Sequence, residues 1–144
     1  AGRAAILGEV FAVLNDPDLA ALFGAHSRAE VAIAGRLATG AGVFAVSGRI
    51  DRIAITDKAV LIADYKTNRT VPARPEEVDP AYILQMALYR RLLTESLATS
   101  HSGRPLRALL IWTAGPQIMA LPDALLDAAL AARGLGDANA VTDA

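Results

Sequence analysis

Apolar residues recur along the chain in two periods, and the switches between them lay out the elements. Over residues 3–14, Ile6, Leu7, Val10, Phe11 and Leu14 keep the i, i+3, i+4 rhythm of an amphipathic helix. Asn15-Asp16-Pro17-Asp18 stops it and starts a short second helix over 19–23, since Asp16 can cap and Pro17 suits a first turn. Gly24 ends that helix. From residue 30 the period changes to two. Residues 30–37 predict a strand, Thr39-Gly40-Ala41-Gly42 a turn, and 43–55 a longer strand. Thr56-Asp57-Lys58-Ala59 turns into a strand over 60–66, and the two runs make a β-hairpin. Residues 68–79, with Pro72 and Pro75, predict a loop. Residues 80–97 predict a long amphipathic helix with Ile83, Leu84, Ala87, Leu88, Leu92 and Leu93 on its buried side. The nearly all-apolar run 106–113 predicts a strand buried on both faces. Gly115-Pro116 leads into a short strand over 117–121, and a last helix runs over 123–133. The tail, 134–144, is small and acidic and predicts a frayed end.

Helices, a meander of strands, then helix, strand, strand, helix predict an α/β fold: a three-layer-like sandwich with a mixed central sheet flanked by helices. The length of 144 residues suits one domain, 1–144, with a real core. A helix that opens the chain with no strand or cap before it suggests a fragment of something longer.

Composition narrows the chemistry. With 53% hydrophobic and 20% charged residues, the chain has the makings of a core. No apolar run approaches the roughly 20 residues that span a bilayer, so no membrane partner is expected. The absence of cysteine removes disulfides, thiolate zinc sites, iron–sulfur clusters and cysteine nucleophiles together. A net charge of -1 speaks against a free-standing basic nucleic-acid binder. There are 31 alanines, and of the 14 basic residues 12 are arginine and only two, Lys58 and Lys66, are lysine, a pattern that fits GC-rich codon usage.

The hairpin carries the candidate chemistry. If Asp57-Lys58 are the two central residues of its turn, paired residue numbers sum to 115, which sets Asp51 opposite Asp64. Their Cβ atoms would then lie about 4.5–5.5 Å apart on one face. Lys66, two residues past Asp64, shares that face. Like charges in that position are destabilising, so either one carboxylate keeps its proton or a cation sits with them. Oxygen donors favour Mg²⁺ or Mn²⁺. A metal on two carboxylates leaves room for water and a phosphate, and Lys66 would hold or help deprotonate the attacking water. The plainer alternative pairs both aspartates with arginines at a strand end and leaves Lys66 as a solvated charge.

Three blocks in order, Gly48-Arg49-Ile50-Asp51-Arg52-Ile53, Asp64-Tyr65-Lys66-Thr67 and Gln85-Met86-Ala87-Leu88-Tyr89, resemble the nuclease domain of RecB/AddA-type helicase–nucleases, in the PD-(D/E)XK superfamily. The resemblance is clearest over residues 30–97 and closest to the C-terminal end of an AddA subunit. It implies a restriction-endonuclease-like core and a metal-dependent DNA exonuclease. The implied setting is a helicase–nuclease complex that processes double-strand breaks for recombinational repair. Asp51 and Asp64 match the metal-binding acids, the Tyr65 carbonyl a further metal ligand, and Lys66 the catalytic lysine. Gln85 and Tyr89, four apart on one helix face, match a Gln and a Tyr that could reach the lysine and a DNA phosphate. Without the family they are a polar edge beside a leucine-rich face. Glu30 matches a glutamate at the start of the family's first strand, either an aid to the metal or a plain surface residue. The implied cofactor is Mg²⁺, with Mn²⁺ as an alternative. The implied partners are a DNA single strand delivered by a helicase and an AddB-like subunit, in the bacterial cytoplasm.

Two departures stand out. The family's upstream histidine ligand has no match, because His26 and His101 fall in expected loops. AddB-type relatives hold an iron–sulfur cluster through cysteines, and the lack of any here favours the AddA side. No Gly-x-x-x-x-Gly-Lys-Ser/Thr loop is present, so this chain is not itself a helicase motor. No Gly-x-Ser-x-Gly elbow is present either. Arg90-Arg91 and Arg104 with Arg107 are small basic spots, either solvated or lining a DNA path. The rival function is a catalytically inactive module of the same fold that guides DNA or docks a subunit.

Overall fold

Strand-forming runs and one well-capped helix account for most of the architecture. In a computed structural model, which describes residues 20–24, 27–39, 42–97, 103–114 and 117–135, five strands form one sheet. They are β1 (Ser27–Thr39), β2 (Gly42–Ile55), β3 (Val60–Lys66), β4 (Leu106–Trp112) and β5 (Gln117–Leu121), arranged in chain order. Helix α1 (Pro80–Ser96) joins β3 to β4, and α2 (Asp123–Ala132) follows β5. β3 and β4 run parallel because a helix carries the chain back between them, and the other neighbours are antiparallel. The expected α/β fold with a mixed sheet is the one observed.

Local chemistry sets the boundaries. Thr56 closes the β2–β3 turn: its hydroxyl oxygen accepts from the Lys58 and Ala59 amides, and its own amide donates to the Ala59 carbonyl at 2.9 Å. That leaves Asp57-Lys58 as the central pair and fixes Ile55↔Val60 and Arg52↔Ala63, the expected register. Asp79 caps α1 by accepting from the Ala81 amide at 2.9 Å, and Pro80 opens the first turn.

Both helices pack on one face of the sheet, over a cluster that includes Ile50, Ile53, Ile62, Met86, Leu110, Trp112 and Leu126. The other face buries Leu22, Ala54, Ala59, Leu61, Ala63 and Leu109. β4 is thus buried on both sides, through Leu110 and Leu109 in turn.

The pleat of the β1–β2 hairpin inverts at one row. Ile50 and Ile53 both face the helices although they are an odd number apart, while Ala54, between Ile53 and Ile55, faces Leu22. In β1, Ser27 bonds Arg52 on the Leu22 side, yet Val31 and Ile33 pack toward the helices. The register does not slip, running from Ser27↔Ala54 to Thr39↔Gly42 with only the Glu30/Asp51 row missing. Glu30 makes the inversion with a left-handed backbone, φ 53°. No glycine marks the place in the sequence.

Several expectations change. The buried stripe of α1 is Ile83, Met86, Ala87, Tyr89 and Leu92, while Leu84, Leu88 and Leu93 are only partly covered. The helix packs against the sheet and beside α2, and its inward face includes Tyr89. The frayed end does not begin at residue 134: Leu135 is buried, and its amide bonds the Leu130 carbonyl at 2.8 Å. The strand expected over 30–37 extends to Ser27–Thr39. Of the helix expected over 19–23, Ala21–Phe23 form a 3-10 turn. The helix expected over 3–14, both histidines and the rest of the tail lie outside the described residues.

Glu30 yields the first prediction. A left-handed L-residue carries roughly 1–2 kcal/mol of strain. Glu30→Gly relieves it and is expected to raise unfolding free energy by up to about 1 kcal/mol after the entropic cost of glycine. Glu30→Val is expected to lower it. Urea unfolding of the two variants checks the pair.

Candidate active site

The site forms where β2 parts from β3. The last paired row is Arg52↔Ala63, and one step further the Asp51 carboxylate accepts the Tyr65 amide at 2.7 Å. A side chain thereby stands in for the ladder acceptor. Asp51 lies near enough to Asp64 to raise its pKa. Asp64 is 6% exposed, the sole buried charged residue among those described.

Burial pushes the Asp64 carboxyl above its ordinary pKa. Its hydrogen bond to Lys66 pulls the other way, and the bond and negative charge of Asp51 push it up again. Lys66 Nζ lies 2.7 Å from Asp64 Oδ2, with its side chain 11% exposed. Lys66 thus supplies a positive charge beside Asp64, and the Asp64 carboxyl holds its proton more tightly than an ordinary one. A carboxyl raised in the folded state binds protons better folded than unfolded. The fold accordingly loses stability as pH climbs from the ordinary Asp value through the raised one.

Helix α1 supplies the rest. Lys66 Nζ donates to Gln85 Oε1 at 3.3 Å, and Gln85 Nε2 donates to the Tyr89 hydroxyl at 3.3 Å. Tyr89 is 4% exposed, so its hydroxyl ends the network inside the protein. It fits there because position 48 in β2 is glycine: a Cβ would collide with that hydroxyl and lie 2.9 Å from the ring carbon bearing it. Asp51, Asp64, Lys66, Gln85 and Tyr89 thus form one connected set.

Two expected participants stand apart. Glu30 neighbours Asp51 by register but is exposed, and no group of three His, Cys, Asp or Glu side chains that could hold a metal occurs among the described residues. Tyr65 is 39% exposed, and its amide is the part that meets Asp51. Arg90 and Arg91 are not simply solvated. Arg90 pairs with Asp123 and Asp127, tying α1 to α2, and Arg91 with Glu95 at 2.9 Å. Two residues escaped the sequence reading. Tyr82 lies with its ring centroid 4.0 Å from Lys66 Nζ, and its hydroxyl bonds the Asn68 amide group at 3.3 Å. The available signal was Tyr82's place three before Gln85, on the same helix face.

The two carboxylates are hard oxygen donors of the kind that suits a divalent cation, and one of them is too buried to carry its charge comfortably.

Two variants test this geometry. Gly48→Ala forces Tyr89 aside and is expected to cost about 1–3 kcal/mol, partly recovered when Tyr89→Phe is added, in a double-mutant cycle read by urea unfolding. Asp51→Asn keeps an acceptor for the Tyr65 amide but removes a like charge beside Asp64. It is expected to raise the melting temperature in chelator by a few degrees, worth about 0.5–1 kcal/mol. An unchanged or lower value would mean that the two carboxyls do not repel.

No curated protein matches the sequence. A solved structure described as "Crystal structure of SSO0001" is similar over 90% of this chain and 56% of that one, at 15% identity and TM-score 0.45. The chain thus spans a little over half the length of that protein. Among the described residues no helix is long and apolar enough to cross a membrane. The profile of the PD-(D/E)XK nuclease superfamily matches residues 9–136, a span that takes in the whole sheet, both helices and every residue of the connected set. The chain therefore belongs to the PD-(D/E)XK nuclease superfamily, whose members are generally metal-dependent phosphodiester hydrolases.

Proposed function

We propose that this domain is the DNA exonuclease end of an AddA-type helicase–nuclease chain. It works with an AddB-like subunit in the bacterial cytoplasm and trims single strands delivered by the helicase during processing of double-strand breaks. The observation that carries the reading is the connected set Asp51, Asp64, Lys66, Gln85 and Tyr89 at the parting of β2 and β3. The three sequence blocks that resemble the AddA kind, and the lack of cysteine, support the finer assignment.

Each residue has a task in this reading. Asp51, Asp64 and the Tyr65 carbonyl hold Mg²⁺, or Mn²⁺ in its place. The bound ion would supply a lowered pKa for water and positive charge beside the scissile phosphate. Lys66 holds the attacking water and offsets negative charge that builds on the phosphate oxygens. Lysine suits this better than arginine, whose larger fork essentially never gives up a proton. Gln85 fixes the ammonium by accepting from it, and Tyr89 fixes Gln85 from behind. Tethering to a helicase raises the effective concentration of DNA, so the domain needs no strong positive charge of its own.

The decisive measurements use metal and DNA. Calorimetric titration with Mn²⁺ is expected to show binding to the wild type and none to Asp64→Ala; equal binding in both would remove the metal assignment. On a single-stranded oligonucleotide with Mg²⁺, Lys66→Ala is expected to lower the cleavage rate by about 10²–10³-fold. No cleavage by the full-length chain with any divalent metal would instead support an inactive guiding or docking module.

A further inference from the structure

A lysine at a strand end needs more than one partner to hold its head still. The stem of Lys66 has four rotatable carbons, and β3 stops at that residue. Two of its contacts are acceptors: Asp64 Oδ2 at 2.7 Å and Gln85 Oε1 at 3.3 Å. In the nuclease reading, on which this inference rests, Asp64 also serves a metal, so its hold on the lysine is shared. Gln85 alone leaves the ammonium free to swing about one bond.

Tyr82 offers a different kind of hold. Its ring centroid is 4.0 Å from Lys66 Nζ, within the range of a cation–π contact. A ring face attracts the ammonium through its quadrupole and presents no lone pair that would compete for a hard metal. The ring is itself pinned from two sides. Its hydroxyl meets the Asn68 amide group at 3.3 Å, and its plane is tilted 52° against Trp112 with centroids 6.4 Å apart. Trp112 is 2% exposed and pairs with Lys66 in the β3–β4 ladder, so ring and lysine are referred to the same row of the sheet. Tyr82, Gln85 and Tyr89 fall at i, i+3 and i+7 on α1, one face of one helix.

We propose that Tyr82 is a positioning residue for Lys66: its ring face forms the wall of the ammonium's berth that Asp64 and Gln85 leave open, and Asn68 sets the angle of that wall.

The test exploits the presence of only two lysines, Lys58 and Lys66. Protein grown with ¹³C-labelled lysine gives two ε-methylene signals, and the exposed Lys58 serves as reference. In the wild type, the Lys66 signal is expected upfield of Lys58 through the ring current of Tyr82. Tyr82→Phe is expected to keep that shift and Tyr82→Leu to abolish it. Oligonucleotide cleavage by Tyr82→Leu is expected to fall about tenfold in kcat with KM and Mn²⁺ affinity held within about twofold, while Tyr82→Phe stays within about twofold of wild type. Asn68→Ala removes the same hydroxyl contact as Tyr82→Phe and is expected to match that variant. A Lys66 signal that is not shifted in the wild type, or that survives in Tyr82→Leu, would overturn the proposal. So would a Tyr82→Phe variant as slow as Tyr82→Leu. Absence of wild-type cleavage would overturn the nuclease reading instead, and the resonance comparison would still decide the berth.

Discussion

A carboxylate held under the sheet beside a second carboxylate is the constraint from which the rest of the structure follows. Asp64 is buried, and Asp51 beside it pushes its carboxyl toward the protonated form. A buried carboxyl with a second carboxyl beside it is unfavourable unless its surroundings compensate. Lys66 supplies a charge, but a lysine head must itself be held, and Gln85 and Tyr82 do that from helix α1. Gln85 is backed by Tyr89, and Tyr89 fits only because Gly48 presents no side chain to its hydroxyl. Gly48 faces the helix because the hairpin's pleat inverts at the row of Glu30 and Asp51. The strained backbone at Glu30 and the ammonium at Lys66 are thus two ends of one chain of dependence.

The same row explains how the site opens. A sheet that stayed fully paired would set Asp51 and Asp64 opposite each other as a non-hydrogen-bonded pair, with the Tyr65 amide bonded to the Ile50 carbonyl. Here β2 leaves β3 after Arg52↔Ala63, and the Asp51 side chain takes the Tyr65 amide that the ladder would have used.

Helix α1 does two jobs with different faces. Ile83, Met86, Ala87 and Leu92 bury it, and Tyr82, Gln85 and Tyr89 serve the lysine. Arg90 and Arg91 fasten it outward, to α2 and along its own last turns. A site built from rigid elements holds its geometry better than one built from loops. The arginines are more informative as struts than as the basic patch that their adjacency suggests.

Much of this was legible from the order of residues. Alternation and the turn chemistry of Thr56-Asp57-Lys58-Ala59 predict β2, β3 and their register, because hairpin pairing is set locally by the turn. Helical spacing predicts α1, and i, i+4 spacing places Gln85 with Tyr89. The inversion at Glu30 was not legible, since a glutamate in a left-handed conformation leaves no mark in the composition of a strand. Nor was the burial of Tyr89, which depends on a glycine 41 positions away in another element. Tyr82 lacked any pattern beyond its helix face, and its meaning comes from Lys66 and Asn68 arriving from β3 and the loop after it. The sequence by itself set Asp51 opposite Asp64 with Lys66 on their face, because the turn fixes that register, while Gln85 and Tyr89 entered through the resemblance. Only the tertiary structure decided how their charges are balanced, because burial and long-range contact set the energy of a charge.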